Sequence, residues 1–140
     1  MFKSALFVVL AIPAILLSAC AAGDGADRTN VEVTLTDFGV QSSLDTFEAG
    51  VEYTFTITNE GLVPHEFMFI APVMAGMEDM HGEAVHATAL IEVDETDLPP
   101  GATYALVYTF PESAVGTDLE IACHTPGHYE AGMRMPITVR

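Results

Sequence analysis

From Val31 onward the hydrophobic positions recur at every second residue. In "VEVTLTDF", Val31, Val33 and Leu35 share one face while Glu32, Thr34 and Thr36 share the other. "VEYTFTITN" repeats the pattern, with Val51, Tyr53, Phe55 and Ile57 set against Glu52, Thr54, Thr56 and Thr58. A period of two rich in β-branched and aromatic residues predicts half-buried strands. "EFMFIA" is shorter and more uniformly apolar, and "ALIEVD", "TYALVYTF", "DLEIACH" and "MPITV" supply the rest. The breaks between them, "EAG", "NEGLVP", "LPPG" and "PESAVGTD", are turn chemistry. Seven or eight short strands in about 110 residues predict an all-β, Greek-key β-sandwich. One stretch departs from this rhythm: residues 71–87, "APVMAGMEDMHGEAVHA", are long for a hairpin connection. A Met/His-containing loop or a short helix is expected at about 72–87.

The N-terminal pattern is different. "MFKSALFVVLAIPAILLSAC" has a single lysine, an apolar run from Leu6 to Leu17 interrupted by Pro13, and small residues after it. That predicts a secretory signal peptide over residues 1–20 rather than a membrane span. Its ending, "LSAC", is lipobox-like and makes Cys20 a candidate for lipidation, with residues 21–30 as a flexible tether and 31–140 as one domain. The expected location is therefore exported, periplasmic or cell-surface, with the membrane reached only through a lipid anchor at Cys20. Charge narrows the partners. With 20 acidic and 4 basic residues the chain carries −16, which disfavours nucleic acid and anionic membrane surfaces and favours a basic protein partner.

Removal of Cys20 or its modification leaves Cys123 as the one remaining cysteine, so no disulfide can form within the domain. An unpaired thiol in an oxidising compartment calls for an occupant, and a metal is the most economical one. Strand parity places Leu119, Ile121 and Cys123 on the apolar face of "DLEIACH" and sends His124 to the other, away from the first coordination sphere. The stretch "CHTPGHYEAGM" then turns twice and presents His128 and Met133. A thiolate, an imidazole and a thioether suit a trigonal copper site once a second imidazole joins them. His65, opening a strand after the turn "NEGLVP", is the candidate. Met135 shares the parity of Met133 and is its competitor as axial ligand.

"GLVPHEF" followed by C-x4-H-x4-M resembles the cupredoxins, the blue copper proteins, over roughly residues 31–140. The loop spacing is most similar to the rusticyanin, sulfocyanin and auracyanin members. The resemblance implies one type 1 copper per chain, bound by His65, Cys123 and His128 with Met133 as the axial ligand. Glu66 stands where many members carry an asparagine that ties the first-histidine strand to the cysteine loop. That change implies a different outer support for the site, in which Glu66 accepts rather than donates.

Two functions follow. In the first the protein is a one-electron carrier, Cu(II)/Cu(I), in a respiratory or other periplasmic chain, with a basic, cytochrome-like redox protein as partner. In the second it is a periplasmic copper-binding or copper-resistance protein that passes copper to or from a copper-handling partner. Met74, Met77 and Met80, at every third position, with His81 and His86 would then hold additional copper. An enzymatic reading is disfavoured, because the chain offers no separate cluster of three histidines for a catalytic copper.

Overall fold

The computed structural model describes residues 29–72 and 83–140. Cys20, Met74, Met77, Met80 and His81, with the expected signal peptide and most of the tether, lie outside the described residues. Among the described residues nine strands form two sheets. They are β1 (Asn30–Thr36), β2 (Gly39–Ser42), β3 (Thr46–Phe47), β4 (Glu52–Asn59) and β5 (Phe67–Ile70). After a short helix α1 (Glu83–His86) come β6 (Ile91–Val93), β7 (Thr103–Thr109), β8 (Leu119–Ala122) and β9 (Arg134–Val139). One sheet has the order β2-β1-β4-β7 and the other β3-β9-β8-β5-β6.

Alternation along β1 and β4 builds the first inner face. Val31, Val33, Leu35, Tyr53, Phe55 and Ile57 are buried and pack with Phe67, Phe69, Ile121 and Ile137 of the facing sheet. Nine strands replace the expected seven or eight because β2 and β3 are edge fragments of four and two residues. They are too short to carry a visible period, and only the pairing of β3 with the end of β9 makes it a strand. The parallel pairing of β1 with β4 likewise comes from the closure of the sandwich rather than from either segment alone.

Register decides where the chemistry can be. β5 pairs Met68 with Ala122 of β8, and β8 pairs Ala122 with Arg134 of β9. The residues just before β5, just after β8 and just before β9 therefore meet at one end of the sheet. Those are His65, Cys123 and Met133. The other end is closed by aromatic packing: Phe47 stacks on Phe110 at 4.9 Å between centroids and meets Tyr53 edge-on at 5.1 Å. That cluster anchors the sandwich through large buried areas in preferred ring geometries.

The second sheet is covered on both faces. Met68, Ile70 and Ala122 point away from the main core and are packed by Val85 of α1 and by Tyr129. This is why β5 and β8 are buried at all of their residues, as central covered strands are.

Candidate metal centre

The ligand loop is a sequence of turns tied back on themselves. Cys123 N–H donates to Met133 C=O at 3.1 Å, Met133 N–H to His128 C=O at 3.0 Å, and His128 N–H to Thr125 C=O at 2.9 Å. Gly127 and Gly132 immediately precede His128 and Met133, with φ of 86° and 104°. Glycine takes that left-handed region freely, so each turn is made where a ligand has to be aimed.

His65 is fixed from the opposite side. Its N–H donates to Leu98 C=O at 3.2 Å, and the loop that leads to it is knotted by Asn59. Asn59, fully buried, donates from Nδ2 to Val63 C=O at 2.9 Å and to Leu98 C=O at 2.8 Å, while its Oδ1 accepts from Gly61 N–H at 2.8 Å. Gly61 lies against the imidazole: a Cβ there would sit 2.6 Å from His65 Nε2 and would collide with Asp37 Oδ1. Asp37 Oδ1 itself stands 3.3 Å from His65 Nε2. Asp37 therefore acts on the ring against burial, favouring its protonated form.

Three donors converge. His65 Nδ1 is 3.2 Å from His128 Nδ1, and Cys123 Sγ is 3.4 Å from that same nitrogen. Bonds of about 2.0 Å from imidazole and 2.3 Å from thiolate to one ion span such separations when they meet at roughly 105°. Cys123 Sγ also accepts from Glu66 N–H at 3.3 Å and lies 3.3 Å from Thr125 Oγ1. Met133 is fully buried beside them in the core. Met135 is partly buried and packs on the core from within β9.

Electrostatics ask for a cation. Burial pushes the Cys123 thiol up, against the Thr125 and Glu66 hydrogen bonds that favour the thiolate. Burial and then the neighbouring His128 hold His65 below its usual value, against the pull of Asp37, which favours the neutral ring with a lone pair to offer. A buried thiol and two facing imidazoles are poorly served by protons and well served by a metal. The donor set fits a type 1 copper ion, which His65, Cys123 and His128 would hold, with the Met133 thioether as the weak further ligand.

Known proteins share this fold. Auracyanin from Roseiflexus castenholzii superposes with a TM-score of 0.59 at 20% identity, covering 80% of this chain and 97% of that one. The chain has the cupredoxin fold. Auracyanin A from Chloroflexus aurantiacus, a "blue" copper protein, matches this cupredoxin-fold chain with a TM-score of 0.55 at 20% identity, over 79% and 99% of the two chains. The copper-resistant cuproprotein CopI of Pseudomonas aeruginosa is 28% identical, over 79% of this chain and 76% of its own length. No family model matches the chain.

His124 faces away from the three donors, as parity requires, but it is not at the surface. It is buried and stacks on Tyr129 at 4.5 Å, because α1 and the ligand loop cover that side of the sheet. Glu66 does support the cysteine loop: its Oε2 accepts from His124 N–H at 3.2 Å. His86, expected to act with the methionines, is held by Glu92, with Nδ1 2.8 Å from Glu92 Oε1, and faces Glu66. Sequence reasoning missed Asn59 and Asp37. A lone asparagine ending an alternating strand was a signal for Asn59; nothing comparable marked Asp37.

Proposed function

We propose that the protein is an exported mononuclear copper protein that carries single electrons between partners in a respiratory or other periplasmic chain. Copper, when bound, supplies the Cu(II)/Cu(I) couple. The observation that carries this reading is the preset donor triad. His65, Cys123 and His128 stand at bonding separations, and the loops bearing them are tied by backbone hydrogen bonds. Such a frame holds nearly one geometry for both oxidation states, which is what a fast carrier needs.

The surroundings support an electron exit. His128 is half-buried, whereas His65, Cys123 and Met133 are buried. Phe38, Leu62 and Val63 are exposed at the same end: Phe38 C=O lies beside Gly132, and Leu62 N–H donates to Asp37 Oδ1. An apolar rim around the one accessible ligand suits brief docking, and the acidic surface suits a basic, cytochrome-like partner. Lipidation at Cys20 would hold the carrier at the membrane. This reading assigns no catalytic reaction to the chain.

Copper handling is the second reading, favoured by the similarity to a copper-resistance protein. Metal counting and voltammetry on the copper-loaded mature chain separate the two. One tightly held copper with fast, reversible one-electron voltammetry supports the carrier. Slow or irreversible electron transfer, with copper readily surrendered to a chelator, overturns it in favour of handling.

A further inference from the structure

Behind the copper ligands, on the outer face of the second sheet, three further side chains converge. Glu66 precedes β5, and strand parity puts it on the same face as Met68 and Ile70. Met68 pairs directly with Glu92 of β6, so Glu92 stands on the neighbouring strand beside it. His86, the last residue of α1, is set between the two carboxylates. The donor atoms of Glu66, His86 and Glu92 all lie within 4.8 Å of one another.

The two contacts of His86 are unequal. Its Nδ1 is 2.8 Å from Glu92 Oε1, a short charge-assisted hydrogen bond. In the tautomer that donates from Nδ1 to Glu92, Nε2 carries the lone pair. Nε2 faces Glu66 Oε1 at 3.9 Å, too far for a hydrogen bond. Two bonds of about 2.0–2.2 Å to a shared ion span a gap of that size. A carboxylate holding one imidazole nitrogen so that the other can bind metal is the usual way such ligands are oriented.

Charge points the same way. Glu66 is buried at 6% exposure, and a buried carboxylate needs a countercharge. Among the described residues only two arginines are present. Arg140 pairs with Glu48, and Arg134 lies over the Tyr129 ring. Glu92, on the neighbouring strand, brings a second carboxylate to the same place.

We propose that Glu66, His86 and Glu92 form a second metal site for a borderline divalent cation, Zn(II) or Cu(II). His86 Nε2 and Glu66 supply ligands, and Glu92 orients the imidazole or completes the set with its carboxylate. One imidazole with carboxylate oxygens suits these ions and lacks the thiolate that selects Cu(I). The site shares a residue with the first: Glu66 N–H donates to Cys123 Sγ while its side chain faces His86. The assignment does not depend on the carrier reading, since it uses none of the four copper ligands.

The test is Zn(II) binding by calorimetry to the full mature chain preloaded with one equivalent of copper. Copper outcompetes zinc for the first site, so added zinc reports the second. One zinc per chain is expected, weakened at least tenfold in both His86→Ala and Glu92→Gln, with the copper absorption intensity kept in each. No zinc binding to the wild type, or binding of equal strength in either variant, overturns the site. Failure of the copper spectrum itself would count against the carrier reading and leaves the zinc stoichiometry to be read separately.

Discussion

Asn59 offers the sharpest handle on how the first histidine is held. Asn59→Ala removes three hydrogen bonds at once: those to Val63 C=O, to Leu98 C=O and from Gly61 N–H. The bond to Leu98 is fully buried and the other two are partly so. Leu98 C=O keeps the His65 N–H as a donor, which cushions its loss. At about 1 kcal/mol net for each bond, the substitution costs about 3 kcal/mol. Against a total of about 5–15 kcal/mol for a small domain, that is a large fraction. It corresponds to a fall in Tm of roughly 10–15 °C. Urea denaturation of the copper-free chain, followed by far-UV circular dichroism, measures it without the added stability of bound metal. Asn59→Asp should cost more than Asn59→Ala, because it sets a carboxylate against two carbonyl oxygens now reached at 2.8 and 2.9 Å. A loss below about 1 kcal/mol for Asn59→Ala, with an unchanged denaturant slope, would refute the role given to this residue.

Two further outcomes are expected. Gly61→Ala forces a methyl group into Asp37 Oδ1 and His65 Nε2, so the imidazole must shift; copper affinity should fall at least tenfold, measured by chelator competition, and unchanged affinity would contradict the packing. Glu120 is buried, and its Oε1 has no hydrogen-bond partner among the described residues. Burial pushes its carboxyl up, with Tyr129 and Arg134 pulling the other way. The folded state therefore binds this proton more tightly than the unfolded chain. The stability it contributes is complete below the ordinary carboxylate range and is lost as pH rises through the raised value. Glu120→Gln should accordingly stabilise the protein at pH 8 relative to the wild type and change little at pH 4, and an equal effect at both pH values would contradict it.

The parts of this molecule that could be read from sequence are those where one residue type meets one local rule. Alternation in "VEVTLT" and "EYTFTIT" placed β1 and β4, since each has one face in the core and one in solvent. The parity of "DLEIACH" correctly separated Cys123 from His124. What was not legible depends on residues distant in sequence. β2 and β3 are strands only through their partners. The burial of His124 depends on Tyr129, which stacks on it, whereas α1 falls inside the stretch 72–87 where a loop or short helix is expected. The grouping of Glu66 and His86 with Glu92 needs the β5–β6 register, which no local pattern carries. Asp37 reaches His65 from the turn between β1 and β2, across a sheet edge that carries no local sign of it.

The central claim is that Cys123 is the thiolate of a copper centre completed by His65, His128 and Met133. The most direct measurement is the visible absorption spectrum of the copper-loaded mature chain beside that of Cys123→Ser. The account predicts an intense thiolate-to-copper charge-transfer band in the first and its complete loss in the second. A wild-type chain that takes up copper without such a band, or a Cys123→Ser chain that keeps it, would contradict the assignment.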